Sequence, residues 1–342
     1  MNERLYYLDV LRLIAIVSVI VMHSTGAVQR FYSNGTDTVF FLTNIPNACT
    51  RFAVPLFVMI SGRLMINRGH DYRFLIRKSI HYMAVFFSWS LLYSIVLIEL
   101  PLAHTYSVKA FIFNSIVDSA SGYFHFWFIF LICGLYLIVP IIEILINNLS
   151  KELWHYYAVI NIVFCFCGKT LLNISLLKDV LGDHLDSFLV GFLNIYTFYF
   201  ILGYWLRDYS PKRKRLLWIG LIGGVALNAV VGCFSSALAG DRVVSFIDAQ
   251  APSTLIVTIC IFLLGMDIRV SENKKDTIRI LSELSFGAYL CHMLIIELIK
   301  RLFPIIRNPL LACTLTIAAT LLLGFGVSFL LWKNKLTRRL VK

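Results

Sequence analysis

Apolar runs of about 18 residues or more recur along this chain, the length a helix needs to cross a hydrocarbon core of about 30 Å. Window hydropathy marks about ten of them. They are approximately Leu5–Ala27, Pro46–Ile66, Ile80–Leu100, Gly122–Ile146, Leu153–Leu172, Phe188–Leu206, Leu216–Ser235, Ala251–Ile268, Leu284–Leu302 and Pro309–Trp332. Apolar residues make up 59% of the 342 and charged residues 15%, against roughly 45–50% and about 25% in soluble domains. The expected fold is therefore all-α: a polytopic membrane protein of about ten transmembrane helices. The connecting loops leave no room for a separate soluble domain, so residues 1–342 read as one integral-membrane domain. No internal repeat or low-complexity tract interrupts it.

A net charge of +12 would suit nucleic acid in a soluble protein. In a membrane protein its location matters more, because cytoplasmic loops retain Lys and Arg. With the N-terminus inside, the cytoplasmic ends receive Arg4, Arg12, Arg63, Arg68, Arg73, Arg77, Lys78 and Lys151. Arg207, Lys212-Arg213-Lys214-Arg215, Arg269, Lys274, Lys275, Arg279 and the tail from Lys333 to Lys342 join them. About 22 of the 31 basic residues then lie inside, which places both termini in the cytoplasm and makes the lipid bilayer, not nucleic acid, the partner. A cleaved signal peptide is disfavoured, since Asp9 and Arg12 lie inside the first segment rather than in a plain basic leader.

The eight cysteines sit in or beside apolar runs without metal-type spacing and read as small buried hydrophobes. No P-loop, dinucleotide-binding glycine motif or HExxH helix occurs, and no metal is expected.

The first span carries Asp9, Arg12 and His23. Asp9 and Arg12 are three apart and so are neighbours on a helix surface. Arg12 and His23 are eleven apart, close to three full turns, which returns them to one face roughly 16 Å apart along the axis. In the orientation above, Asp9 and Arg12 lie near the cytoplasm and His23 past the midplane. Ionisable groups at such depth are costly and usually line a cavity or pathway. The bland alternative is an anchoring ion pair plus a satisfied buried histidine. A cation at the mouth and an imidazole at depth suit a large anionic donor such as coenzyme A, its phosphates at Arg12 and its thioester reaching inward.

These residues also carry a resemblance. Leu8-Asp9-Val10-Leu11-Arg12 with Met22-His23-Ser24 is similar to the opening of the acyltransferase 3 family of membrane proteins. In order there follow Arg51-Phe52-Ala53-Val54-Pro55, running to Ser61-Gly62, and then His125-Phe126-Trp127-Phe128 with Leu135-Tyr136-Leu137 and Pro140. Phe200-Ile201-Leu202-Gly203-Tyr204 and Ser285-Phe286-Gly287-Ala288-Tyr289-Leu290-Cys291-His292 complete the set. The resemblance implies a ten-span bundle that acylates extracytoplasmic carbohydrate from cytoplasmic acyl-CoA, with His23 as catalytic base and Arg12 at the donor site. The length, without a fused hydrolase-like domain, is similar to bacterial inner-membrane O-acetyltransferases of surface polysaccharides, such as that acting on enterobacterial common antigen. Arg63 stands where the family more often has Tyr or Phe, and would add to phosphate binding.

The implied reaction is direct transfer. His23 deprotonates a sugar hydroxyl, Arg12 with Arg63 holds the phosphates of acetyl-CoA, Asp9 orients Arg12, and Ser61 or a backbone N–H meets the oxyanion. A covalent acetyl-His23 intermediate is a variant of the same scheme. His125 and Trp127 read as a wall of the acceptor site or as an interfacial aromatic belt. Arg51 snorkels, or pairs with a carboxylate or an acceptor anion. His292 and Tyr289, three residues apart, read as a second polar wall or as bundle packing. The lipid-linked or surface glycan is the expected acceptor. The rival classes are a transporter or flippase of a lipid-linked sugar and a non-catalytic assembly subunit.

Overall fold

The computed structural model describes residues 4–33, 37–99, 107–174, 194–209 and 213–342. Every regular element among them is helical, which agrees with the expected all-α class. In chain order these are α1 (Tyr6–Tyr32), α2 (Thr38–Cys49), α3 (Ala53–Met65), α4 (Tyr72–Tyr93), α5 (Val108–Ser121), α6 (Trp127–Leu137), α7 (Val139–Asn148) and α8 (Lys151–Ile160). Then follow α9 (Ile195–Trp205), α10 (Lys214–Ala239), α11 (Pro252–Gly265), α12 (Glu272–Lys300) and α13 (Pro309–Lys333).

Six segments are long and apolar enough to cross a membrane: α1, α2 with α3, α4 with its continuation, α10, α12 and α13. A seventh is α6 with α7, which bend by 52° at their junction. Pro140, in the first turn of α7, has no N–H to give the preceding turn, and such a position kinks a helix. The chain is thus a multi-pass membrane protein, with six to seven such spans among the described residues. The fifth expected span, Leu153–Leu172, is helical over residues 151–171, because α8 runs on through a π-helical stretch, Asn161–Gly168, and Lys169–Leu171. The sixth and eighth correspond to the shorter helices α9 and α11, of 11 and 14 residues. Residue 100, residues 188–193 and Lys212, used in the expectations above, lie outside the described residues.

The expected second span is also divided: α2 ends at Cys49 and α3 begins at Ala53. Pro55, which cannot donate to a preceding turn, is accommodated in the first turn of α3. Arg51 sits in the break.

α1 is central, packing against α2, α3, α12 and α13. Close approaches follow small residues, as expected where packing and polar contacts, not water exclusion, hold helices together. α3 and α9 touch backbone to backbone: a Cβ on Gly62 would fall 1.8 Å from the Phe200 carbonyl oxygen, and one on Gly203 2.0 Å from that of Met59. α13 buries Ala312, Thr316, Thr320, Gly324 and Ser328, every fourth residue, and Ser328 Oγ donates to the Leu284 carbonyl of α12 at 2.8 Å. α10 buries Gly224, Asn228, Gly232 and Ser236 at the same interval. Asn228 there donates to Thr254 Oγ1 of α11 at 3.0 Å and accepts from Ser253 Oγ at 2.5 Å.

Candidate active site

A cavity with about 1230 Å³ of empty space, its open mouth included, runs beside α1. Both Arg12 and His23 line it. Because α1 is unbroken from Tyr6 to Tyr32, the spacing read from the sequence holds: one residue near each end of the cavity, roughly 16 Å apart along the axis.

At the Arg12 end, Asp9 is buried but does not mainly serve Arg12. It accepts from Arg4 Nε at 2.7 Å and Nη2 at 3.1 Å, and from Ser282 Oγ of α12 at 2.7 Å. Arg12 Nη1 stands off at 3.5 Å. The hydrogen bond to Asp9 raises the Arg4 guanidinium above its ordinary pKa, so Arg4 is the partner that neutralises the buried carboxylate. That leaves the Arg12 guanidinium with spare donors facing the cavity. Lys342 and Glu283 also line this end, and Glu283 lies 3.5 Å from Arg4. Ser61 lines the cavity too, while Arg63, two residues further along α3, is not among the lining residues.

The middle of the cavity is an aromatic throat of Phe57, Tyr82, Phe128, Tyr136 and Phe286. These rings come from four helices and meet tilted, as with Tyr82 and Phe286 at 5.4 Å and Phe57 and Phe128 at 5.9 Å.

At the deep end three histidines meet. The His23 and His292 rings are 5.2 Å apart and those of His125 and His292 5.0 Å. His292 is fully buried on α12. Its Nδ1 donates to the Tyr289 carbonyl at 2.5 Å, which leaves the Nε2 lone pair free, and Nε2 has no partner. The Tyr289 hydroxyl donates to the His125 carbonyl at 2.6 Å, tying α12 to the turn that carries His125. Tyr93 Oη enters the α12 ladder around His292, donating to the Leu290 carbonyl at 2.8 Å and accepting from Leu294 N–H at 2.9 Å. Trp127 lines the cavity beside Tyr196, ring centroids 5.5 Å apart.

Of the residues selected from sequence, the structure therefore brings Arg12, Ser61, His23, His125, Trp127 and Tyr289 to one cavity, with Asp9 and His292 directly behind its walls. Arg51 lies outside the lining; it is hydrogen-bonded to Asn47 and stands 3.7 Å from Asp248. Tyr82, Tyr136, Ser282, Phe286 and Lys342 were not anticipated. The only local signal was that Tyr136 and Phe286 fall within the motif segments quoted above. No group of three or more His, Cys, Asp or Glu residues among the described residues is arranged to hold a metal ion.

A pocket joining a guanidinium to an imidazole through an aromatic throat has the parts for moving a group from a large anionic donor to a hydroxyl. No curated protein and no solved structure matches the chain. The family model described as an acyltransferase domain matches residues 5–333, nearly the whole chain and every residue of the cavity wall except Lys342. The chain belongs to the acyltransferase 3 family, and its cavity is the candidate site of a membrane acyltransferase.

Proposed function

We propose that this chain, acting as one integral-membrane unit over residues 1–342 of a bacterial inner membrane, moves an acetyl group from cytoplasmic acetyl-CoA to a sugar hydroxyl. The acceptor is an extracytoplasmic or lipid-linked cell-surface polysaccharide. The observation that carries the reading is the single cavity lined at one end by Arg12 and at the other by His23. Positive charge biased to the Arg12 side of the bilayer supports a cytoplasmic donor mouth.

In this reading Arg12, with Lys342 beside it, pairs with coenzyme A phosphates by charge-assisted hydrogen bonds. The pantetheine arm follows the aromatic throat, whose apolar walls exclude water from the thioester. The acceptor hydroxyl gives its proton to a His23 ring nitrogen as its oxygen attacks the thioester carbonyl. The tetrahedral oxyanion collapses, the C–S bond breaks, and the coenzyme A thiolate takes the proton back from His23. His292, 5.2 Å from His23, fixes the ring's position. Arg63, off the cavity lining, serves coenzyme A only through the general positive field at the mouth.

The test is transfer of radiolabel from acetyl-CoA to glycan in membranes, together with coenzyme A binding by purified protein. His23→Ala loses transfer but keeps coenzyme A affinity; near-wild-type transfer by that variant overturns the assignment of the base. Arg12→Ala raises the KM for acetyl-CoA, and an unchanged coenzyme A affinity removes its phosphate role.

A further inference from the structure

Beyond His23, on the side away from Arg12, three guanidinium groups meet in a region that the reaction above does not use. Arg30 comes seven residues after His23 on unbroken α1, two turns and about 10 Å further along the same face. Arg51 occupies the break between α2 and α3, and Arg242 the loop after α10. Both Arg51 Nη2 and Arg242 Nη2 donate to one acceptor, Asn47 Oδ1, the second at 3.2 Å. Asn47 Nδ2 donates in turn to the carbonyl of Met22, the residue before His23, at 2.7 Å. Arg242 and Arg30 both close on the bare backbone of Gly26: a Cβ there would lie 3.6 Å from Arg242 Nη1 and 3.7 Å from Arg30 Nη1.

Two carboxylates, Asp248 and Asp241, lie near these three cations. Asp248 stands 3.7 Å from Arg51 with its own side chain 54% exposed. Asp241 accepts from the Arg242 backbone N–H at 2.5 Å. The Arg51 side chain is only 9% exposed, and the Nε atoms of Arg51 and Arg242 have no partner. Burial, and then repulsion from Arg51 and Arg30, pulls Arg242 down to about 10, so it still carries its charge at neutral pH. Three clustered guanidinium groups, one of them with a side chain only 9% exposed, repel one another unless an anion completes them. The planar guanidinium fork matches phosphate or carboxylate oxygens. The donor's phosphates do not serve here, because Arg12 holds them at the far end of the cavity.

We propose that Arg30, Arg51 and Arg242 bind an anionic group of the acceptor, a phosphate or carboxylate held beyond the hydroxyl that His23 deprotonates, on the side away from Arg12. This rests on the acyl-transfer reading for the identity of the ligand as acceptor, but not for the existence of the anion site. The acceptor class is then a sugar on a lipid diphosphate or a glycan containing an acidic sugar, rather than a neutral polymer.

The experiment is direct binding to detergent-purified protein with the Arg12 end saturated by coenzyme A. The probes are inorganic pyrophosphate, standing for a lipid diphosphate, and a trimer of galacturonic acid, standing for an acidic glycan, with its carboxyl-reduced trimer as control. At least one anionic probe binds, the reduced trimer does not, and the one that binds names the source of the anion. Arg51→Gln and Arg242→Gln weaken that binding about tenfold or more, the loss expected for a charge-assisted contact, with coenzyme A affinity unchanged. Since Arg51 is buried and its variant can fail to fold, Arg30→Gln, at an exposed position, provides a second variant, with binding weakened severalfold. Binding of neither anion, or full binding in folded Arg30→Gln and Arg242→Gln proteins, overturns the proposal. Acetyl transfer by His23→Ala is measured separately, so loss of the catalytic reading leaves the anion site to stand or fall by its own result.

Discussion

α12 and α13 pack against each other, yet they meet the bilayer in opposite ways. α12 has a mean hydropathy of 1.3 over its most apolar window and 67% of that window buried; α13 has 2.2 and 22%. α10 behaves like α13, at 2.0 and 17%. In water the more apolar helix would be the more buried. In lipid, acyl chains are as apolar as leucine, so nothing is gained by hiding leucines, whereas a serine, histidine or carboxylate needs a partner inside the bundle. Polarity therefore marks the inner helices. α12 carries Ser282 to Asp9 and His292 to the deep end of the cavity, while α13 offers one stripe of small residues and presents leucines such as Leu322, 75% exposed, on its outer side.

Substitutions test this contrast between chemistry-bearing inner helices and sealing outer ones. The largest effect is expected at His23. Replacing a general base by Ala costs about 10²–10⁴ in rate, and a His23→Ala enzyme that transfers acetyl normally would show that α1 does not supply the base. Next comes Gly62→Ala, which forces α3 off the Phe200 carbonyl. It should cost about 1–3 kcal/mol, read as a lower melting temperature of detergent-solubilised protein. Tyr93→Phe leaves the Leu290 carbonyl and Leu294 N–H without their hydroxyl, and should cost about 1–3 kcal/mol. It should also slow transfer at saturating acetyl-CoA without changing KM, since its effect reaches the reaction through His292. Arg12→Ala should weaken coenzyme A about tenfold, the loss of one charge-assisted contact, as seen by titration calorimetry. The smallest effect is at Leu322→Ala on the outer face of α13, within about 0.5 kcal/mol of wild type; a clear loss of stability there would mean that α13 is not a lipid-facing seal.

Much of the fold class was legible because a membrane helix must satisfy its own backbone and therefore announces itself by length and apolarity. Less legible were the helices that fall short of that length. α11, with 14 residues, is packed against α10 and is shorter than the apolar run Ala251–Ile268 that marks it. The bend at Pro140 and the break before Ala53 sit at prolines visible in the sequence, but whether a proline kinks, caps or divides a helix depends on what accepts the freed carbonyls. The four-residue stripes of α10 and α13 were readable in principle: Gly224-Asn228-Gly232-Ser236 and Ala312-Thr316-Thr320-Gly324-Ser328 are contact faces by composition alone.

The site divides along the same line. Asp9 shows the limit of reasoning within one helix. The three-residue spacing predicts a pair with Arg12, and that pair forms at 3.5 Å, but Arg4 and Ser282 hold the carboxylate more closely, each at 2.7 Å. A spacing rule ranks neighbours on one helix and says nothing about a competing donor from another. Gly62 and Gly203, quoted first as parts of motif segments, act as the backbone contact between α3 and α9, so those motifs owe part of their form to packing rather than to chemistry.

By itself the sequence determined the membrane class, the helical fold and the line from Arg12 to His23. The period and rise of a single helix are local properties, and an unbroken α1 preserves them. Tertiary structure alone decided that His125 and His292 arrive beside His23, that the throat is aromatic, and that Arg30, Arg51 and Arg242 converge beyond it. Those meetings depend on where separate helices cross, and crossing is set by packing between faces distant in the chain.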